Sequence, residues 1–179
     1  MATSAPASTL EVRRLDAPSD ADLQALAEVL VDCVDGGASV SFMLPMTREK
    51  ALAFWRRVAD GVARGERVLL VAEDAQGVVG TVQVILDQPE NQPHRADVAK
   101  MLVHRRSRRQ GAGAALMRAA EAAARAAGKT LLVLDTADDT AARLYARVGW
   151  QLAGTIPRYA LLPAGGECAT TYFYRSLGD

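Results

Sequence analysis

Aromatic residues make up only 5% of the 179-residue chain, lysine occurs only at Lys50, Lys100 and Lys129, and cysteine only at Cys33 and Cys168. Two lone thiols without CxxC spacing form no disulfide framework and no structural zinc site, and they point to a reduced, cytoplasmic setting. His94 and His104 are too few for a His-rich metal site, so no metal is expected. No apolar run approaches the ~20 residues that a membrane-spanning helix needs, so no membrane partner is expected. The first nine residues have neither a basic n-region nor a long apolar h-region, which argues against a secretory signal. Their small and polar side chains read as a flexible tail over residues 1–9, ahead of a single domain over residues 10–179. No internal repeat is visible. An excess of charge is also lacking: 21 basic and 21 acidic side chains give a net charge of zero. A general nucleic-acid binder would need surplus cations to neutralise phosphates, so no nucleic-acid partner is expected.

Half of the residues are hydrophobic, enough to bury a core. Leu10–Leu15 is a strand candidate. Ser19 reads as the N-cap of a helix to about Val34, with Asp20 and Asp22 near its positive end. Gly36-Gly37-Ala38-Ser39-Val40 is a loop. Thr47 caps a second helix that stops at Gly65. Arg67–Glu73 and Val78–Leu86 form a hairpin around Asp74–Gly77. Ala96–Val103 is the next strand. Gly111–Ala127 is an Ala-rich helix ended by Gly128. Thr130–Asp135 is a buried strand, Ala141–Val148 a short helix, and Gln151–Ile156 and Thr170–Arg175 the last two strands. The order predicts one α/β domain with a mixed, mostly antiparallel sheet of about seven strands and helices on both faces.

The charge is balanced overall but concentrated locally at Arg105, Arg106, Arg108 and Arg109, just before Gly111. Arg108-Arg109-Gln110-Gly111-Ala112-Gly113 joins a strand to a helix. Free N–H groups at a helix start attract anions, glycines let oxygen atoms approach, and arginine forms bidentate phosphate contacts. No GK[ST] follows, so this is not a Walker loop, and GAGAAL is not the dinucleotide GxGxxG. A solvated Arg-rich turn, with glycine used for chain reversal, is the other reading of the same residues.

R-x-x-G-x-G after Met101-Leu102-Val103 resembles the acetyl-CoA loop of the GNAT superfamily of N-acetyltransferases. Ala141-x-x-Leu144-Tyr145-x-x-x-Gly149-Trp150 resembles a second motif of that superfamily, whose Tyr lies near the CoA sulfur. Asp138 stands where many relatives carry Asn. The resemblance implies a GNAT-like sheet and acetyl-CoA as cosubstrate. It implies a cofactor site of Met101, Val103, Arg108, Arg109, Gln110, Gly111, Ala112, Gly113, Ala114, Asp138 and Tyr145. Further segments are similar to the tabtoxin-resistance acetyltransferase group: Gly36–Val40 with Phe42-Met43, Arg95–Val98 with Lys100, Leu131–Thr136, and Tyr172-Phe173. That similarity implies antibiotic resistance by acetylation of an amino-acid-like amine such as a tabtoxin-type β-lactam. It makes Asp97, Asp135 and Tyr145 the catalytic residues, and Gly36, Gly37, Ser39, Asp97 and Asp135 the acceptor site. The group carries Glu where this chain has Asp97. The shorter arm implies a bridging water or a substrate-binding role.

An alkylammonium has a pKa of about 10.4, so its deprotonation at neutral pH costs about 4–5 kcal/mol, which justifies a general base. Asp135 either fills that role or caps the turn after its strand. Asp97 either shares the chemistry or is a solvated edge residue. Tyr145 either hydrogen-bonds the leaving thiolate or is a core aromatic. Ser39 either binds a carboxylate or sits in a plain connecting loop. Met101 and Val103 offer backbone groups to the pantetheine arm, as an added strand would. Cys33 reads as a core thiol. The GGASVSFM segment and the stretch from Pro157 to Glu167 carry few carboxylates, which favours a zwitterionic acceptor over polyamines and aminoglycosides. Other amines, peptide α-amines among them, and a non-catalytic acyl-CoA-binding protein are the alternatives. A monomer and a homodimer are equally open.

Overall fold

The computed structural model describes residues 10–178. The tail expected over residues 1–9 lies outside them, as does the last residue of the domain expected over 10–179. The elements follow the expected order. They are β1 (Glu11–Arg14), α1 (Asp20–Asp35), α2 (Arg48–Ala63), β2 (Arg67–Asp74), β3 (Gly77–Ile85) and β4 (Arg95–Val103). After a short 3₁₀ turn (Arg105–Ser107) come α3 (Ala112–Ala126), β5 (Leu131–Thr136), α4 (Asp139–Arg147), β6 (Gln151–Leu161) and β7 (Glu167–Ser176). One open seven-stranded sheet runs in the order β1-β2-β3-β4-β5-β7-β6. Among the described residues, only β4 and β5 pair in parallel.

Local chemistry explains where the helices begin. The Ser19 hydroxyl accepts from the Asp22 N–H, and the Asp22 carboxylate accepts from the Ser19 N–H, a reciprocal cap that satisfies two orphan donors. Thr47 caps α2 through the Lys50 N–H. The two sheet faces carry separate cores. On one face, Leu116, Met117, Ala120 and Ala124 of α3 pack with Val82, Val84, Leu132, Tyr145 and Phe173. On the other, Leu26, Leu30 and Val34 of α1 and Trp55 and Val58 of α2 cover Leu69 and Val71. Among the described residues, no helix is long and apolar enough to cross a membrane.

Two of the sheet's irregularities bear on the site and on its outer edge. In β4, Thr81 faces Leu102 and Gln83 faces Ala99, so Lys100 and Met101 together oppose Val82. This is a β-bulge, and Lys100 holds a positive φ of 51° within it. The bulge reverses the alternation. Ala96 and Val98 face α3 before it, and Leu102 faces α1 and α2 after it. The second irregularity is in β6, which is longer than the expected Gln151–Ile156 and runs on past Pro157. An edge strand permits this, because a proline there removes no ladder hydrogen bond on its open side. Nearly every β6 residue is exposed, and the register with β7 shifts between Ile156 and Ala160.

Candidate active site

β4 and β5 stay paired only from Arg95/Leu131 to Asp97/Val133, and beyond that point they separate. A cleft of about 1190 Å³ opens there. One wall is the β4 edge from Val98 to Val103, another the start of α3, and a third α4 with Tyr145. A recess of about 220 Å³, lined by Ser39, Ser41, Phe42, Asp135, Tyr159 and Thr170 among others, shares Ser39, Ser41 and Asp135 with the cleft.

On the α3 side, Arg109 has φ 62° and Gly111 has φ 88°, the left-handed conformation that turns successive N–H groups toward one point. Gly111 is the N-cap of α3 and makes no side-chain cap bond, which leaves the first N–H groups of the helix available. Gly113 has a different reason to be glycine. A Cβ there would lie 2.8 Å from Leu144 Cδ2, so its bareness lets α3 and α4 pack closely. Arg108 Nε donates to the Val103 carbonyl at 3.2 Å, and the buried Cys33 thiol donates to the same oxygen at 3.6 Å. Burial pushes the Cys33 thiol up, with Arg108 opposing. Asp138 caps α4 through the Thr140 N–H at 2.8 Å while lining the cleft. Gln110 does not line the cleft, and its side chain donates to the Arg106 carbonyl.

The arginine run divides in two. Arg105 pairs with Asp32 at the end of α1, through both its side chain and its backbone N–H. Arg106 pairs with Asp74 at 2.6 Å. Both anchor one element to another and neither lines the cleft, so within the run Arg108 and Arg109 are the two that do. Burial works against ionisation of Asp74, but Arg106 and the Gln76 N–H outweigh it and hold the carboxyl below its ordinary 3.8. A lowered folded-state pKa stabilises the fold above the ordinary value, and that contribution is lost as pH falls through the lowered value. Arg106→Gln therefore lowers Tm at pH 7, and this effect fades as the pH falls through the lowered Asp74 value. The KM for acetyl-CoA stays within about twofold of the parent. Thermal melts followed from pH 7 into the acid range, with a steady-state titration, check both.

On the acceptor side, Asp135 sits opposite Tyr172 in the β5–β7 ladder. Its carboxylate accepts from the Thr170 hydroxyl at 2.7 Å, and among the described residues no bond to the following turn competes. The capping alternative for Asp135 therefore falls. Tyr172 and Tyr159 hydroxyls meet at 2.9 Å, and that bond, followed by burial, pushes the Tyr172 phenol up to about 12. Asp97 is on the same face but lines neither cavity. Arg95 pairs with its carboxylate, and Gln88 donates to it at 3.2 Å. Lys100 Nζ donates to Ser41 Oγ at 3.2 Å and stands 5.8 Å above the Phe54 ring. Burial pulls the Lys100 ammonium down, against the field of Asp135. Tyr145 is 4% exposed, and burial raises its phenol well above the usual range, helped by Asp138 and Asp135.

Residues 65–152 match the acetyltransferase (GNAT) domain family. The chain carries a GNAT acetyltransferase domain. An N-acetyltransferase from Staphylococcus aureus Mu50 shares 17% identity with it at a TM-score of 0.79, over 96% of this chain and 100% of that one. The Salmonella typhimurium protein yncA, assigned as an acetyltransferase and solved with its cofactor acetyl-CoA, shares 18% identity at 0.77, over 96% of each chain. A ribosomal-protein-alanine N-acetyltransferase from Brucella melitensis shares 21% identity at 0.78, over 93% of this chain and 99% of that one. These likenesses establish the fold.

The GNAT domain brings most of the expected residues to one cleft. Met101, Val103, Arg108, Arg109, Gly111, Ala112, Gly113, Ala114, Asp138 and Tyr145 line it, together with Gly36, Gly37, Ser39 and Asp135. Asp97 and Gln110 stand outside that lining. Lys100 and Tyr172 were foreseen only as parts of similar segments, Ser41 and Tyr159 only within stretches poor in carboxylates, and Thr170 only as the start of a strand. A lysine at a strand's bulge and a tyrosine opposite the key carboxylate become visible only once strand register is fixed.

Proposed function

We propose that this GNAT domain transfers acetyl from acetyl-CoA directly to the amine of a small acceptor, releasing the N-acetyl amine and free CoA. The observation that carries this reading is the cleft where β4 and β5 part, closed by the left-handed Arg109–Gly111 turn at the start of α3. The bound acetyl-CoA in the Salmonella typhimurium structure supports the choice of cosubstrate.

The cleft suits an anionic, elongated partner. Free N–H groups before α3, with Arg108 and Arg109, would hold its phosphates. The β4 edge from Met101 to Val103 has no strand partner on the β5 side and would take the pantetheine amides as an added strand. Acetyl-CoA, when bound, supplies an activated thioester carbonyl. Asp135, oriented by Thr170, takes the proton from the acceptor's ammonium, directly or through a water. Tyr145 keeps its proton because its pKa is raised, so it suits hydrogen-bond donation to a departing thiolate rather than full proton transfer. Cys33 is buried with its thiol pKa raised, the wrong state for an acyl-enzyme nucleophile. Asp97, paired with Arg95 and bonded by Gln88 outside both cavities, takes no direct part in the proton transfer.

Resemblance to the tabtoxin-resistance group makes an amino-acid-like antibiotic or toxin the preferred acceptor, and the free thiols suit action in the cytoplasm. A panel of amines assayed for free CoA tests this. Turnover with amino-acid-like amines, and little with polyamines or lysine-rich peptides, is expected. Turnover of lysine-rich peptides alone would overturn the small-acceptor reading, and binding of acetyl-CoA without any turnover would overturn catalysis.

A further inference from the structure

Lys100 forms no ion pair among the described residues, although it is half-buried beside the site. An ammonium taken out of water without a carboxylate partner is costly, and burial does pull its pKa down. Its contacts are the Ser41 hydroxyl and the Phe54 ring. An ammonium has three N–H donors, so at least one remains free for a ligand.

The backbone adds an independent observation. Lys100 and Ser41 both hold positive φ, 51° and 77°, though neither is glycine. Such conformations are costly for residues with a side chain and persist only where the surroundings enforce them, commonly at ligand sites. Here the two strained residues, 59 positions apart in sequence, meet side chain to side chain.

The hydroxyls sort the partners further. Ser39, the expected anion binder, already donates its proton to the Leu161 carbonyl at 3.2 Å. Ser41 accepts from Lys100, so its own proton stays available. Ser41 and Asp135 line the same recess, one linked to a cation and the other an anion.

We propose that Lys100 and Ser41 bind the acceptor's carboxylate while Asp135 faces its amine, so that the substrates are amines carrying a carboxylate close to the amino group. This assignment rests on the acetyl-transfer reading and names its acceptor class.

The experiment compares α-amino acids with their α-carboxamides as acceptors, in the parent, Lys100→Met and Lys100→Arg. In the parent, kcat/KM favours the acids by about tenfold or more, as loss of a charge-assisted hydrogen bond implies. Lys100→Met brings that ratio close to one, mainly through KM, and Lys100→Arg restores part of it. Equal use of acids and amides by the parent overturns the assignment. So does a Lys100→Met variant in which both fall together in kcat, with one limb of the pH profile lost, which would make Lys100 a proton carrier. A second measurement needs no turnover. Thermal protection by N-acetyl amino acids against N-acetyl amino amides is read with and without CoA. Stronger protection by the acids supports the assignment, and equal or absent protection overturns it. Failure of acetyl-CoA itself to raise Tm would instead sink the acetyl-transfer reading.

Discussion

The Gly111→Glu protein gains no thermal protection from acetyl-CoA. Gly111 has φ 88°, where an L side chain costs about 1–2 kcal/mol. That strain lowers stability but leaves the fold in place, because no atom lies near the position a Cβ would take. A carboxylate at the start of α3 also suits the helix dipole, so the helix itself persists. The effect falls on the ligand. A unit negative charge about 4–5 Å from a phosphate costs about 3–4 kcal/mol at an effective dielectric near 20. That amounts to a loss of about 10²–10³-fold in affinity. Gly111→Ala separates the two effects, since it carries the strain without the charge. The alanine protein melts lower yet still responds to acetyl-CoA. If the glutamate protein kept the full shift, the phosphates would have to bind elsewhere.

Asp135→Asn lowers kcat by about 10²–10³-fold, the range usual for loss of a general base. The substitution is conservative in shape, and an amide oxygen at the same place still accepts from Thr170. Fold and acetyl-CoA affinity therefore stay close to the parent, and the loss appears with saturating cosubstrate. Asp97→Asn gives a useful contrast. Its carboxylate is already held by Arg95 and Gln88, outside the cleft lining, so its loss costs far less in kcat. Equal losses in the two variants would show that the carboxylates act as one unit, and an undiminished kcat in Asp135→Asn would remove Asp135 from the chemistry.

Much of this was legible where the cause is local. Ser19 and Thr47 mark helix starts because a hydroxyl three residues ahead of a free N–H is a sequence-level feature. Gly111 was legible for the same reason, since a turn between strand and helix that needs positive φ selects glycine. What escaped the sequence depends on distant pairing. Asp32 is 73 residues from Arg105, and Asp74 is 32 from Arg106, so nothing in the run itself marked these two arginines as anchors. Once two of its cations are spent on anchoring helices and a hairpin, a net charge of zero describes how the fold is held together. Gly113 lines the cleft as expected, but its close contact with Leu144 of α4 had no sequence signal. Thr170 and Tyr172 reach Asp135 only through the β5–β7 register, which no spacing encodes.

The outer strand β6 carries a hazard that its own sequence disarms. It ends the sheet with exposed Leu152, Ile156 and Leu161, and an open strand of that kind is a template for stacking further chains. Pro157 offers no N–H, Arg158 turns the backbone to φ 56°, and the ladder loses register there. A foreign strand docking on this side would find its hydrogen bonding interrupted midway. The irregularity thus acts as a gatekeeper against fibril-like growth, and the edge can stay greasy without becoming a seed.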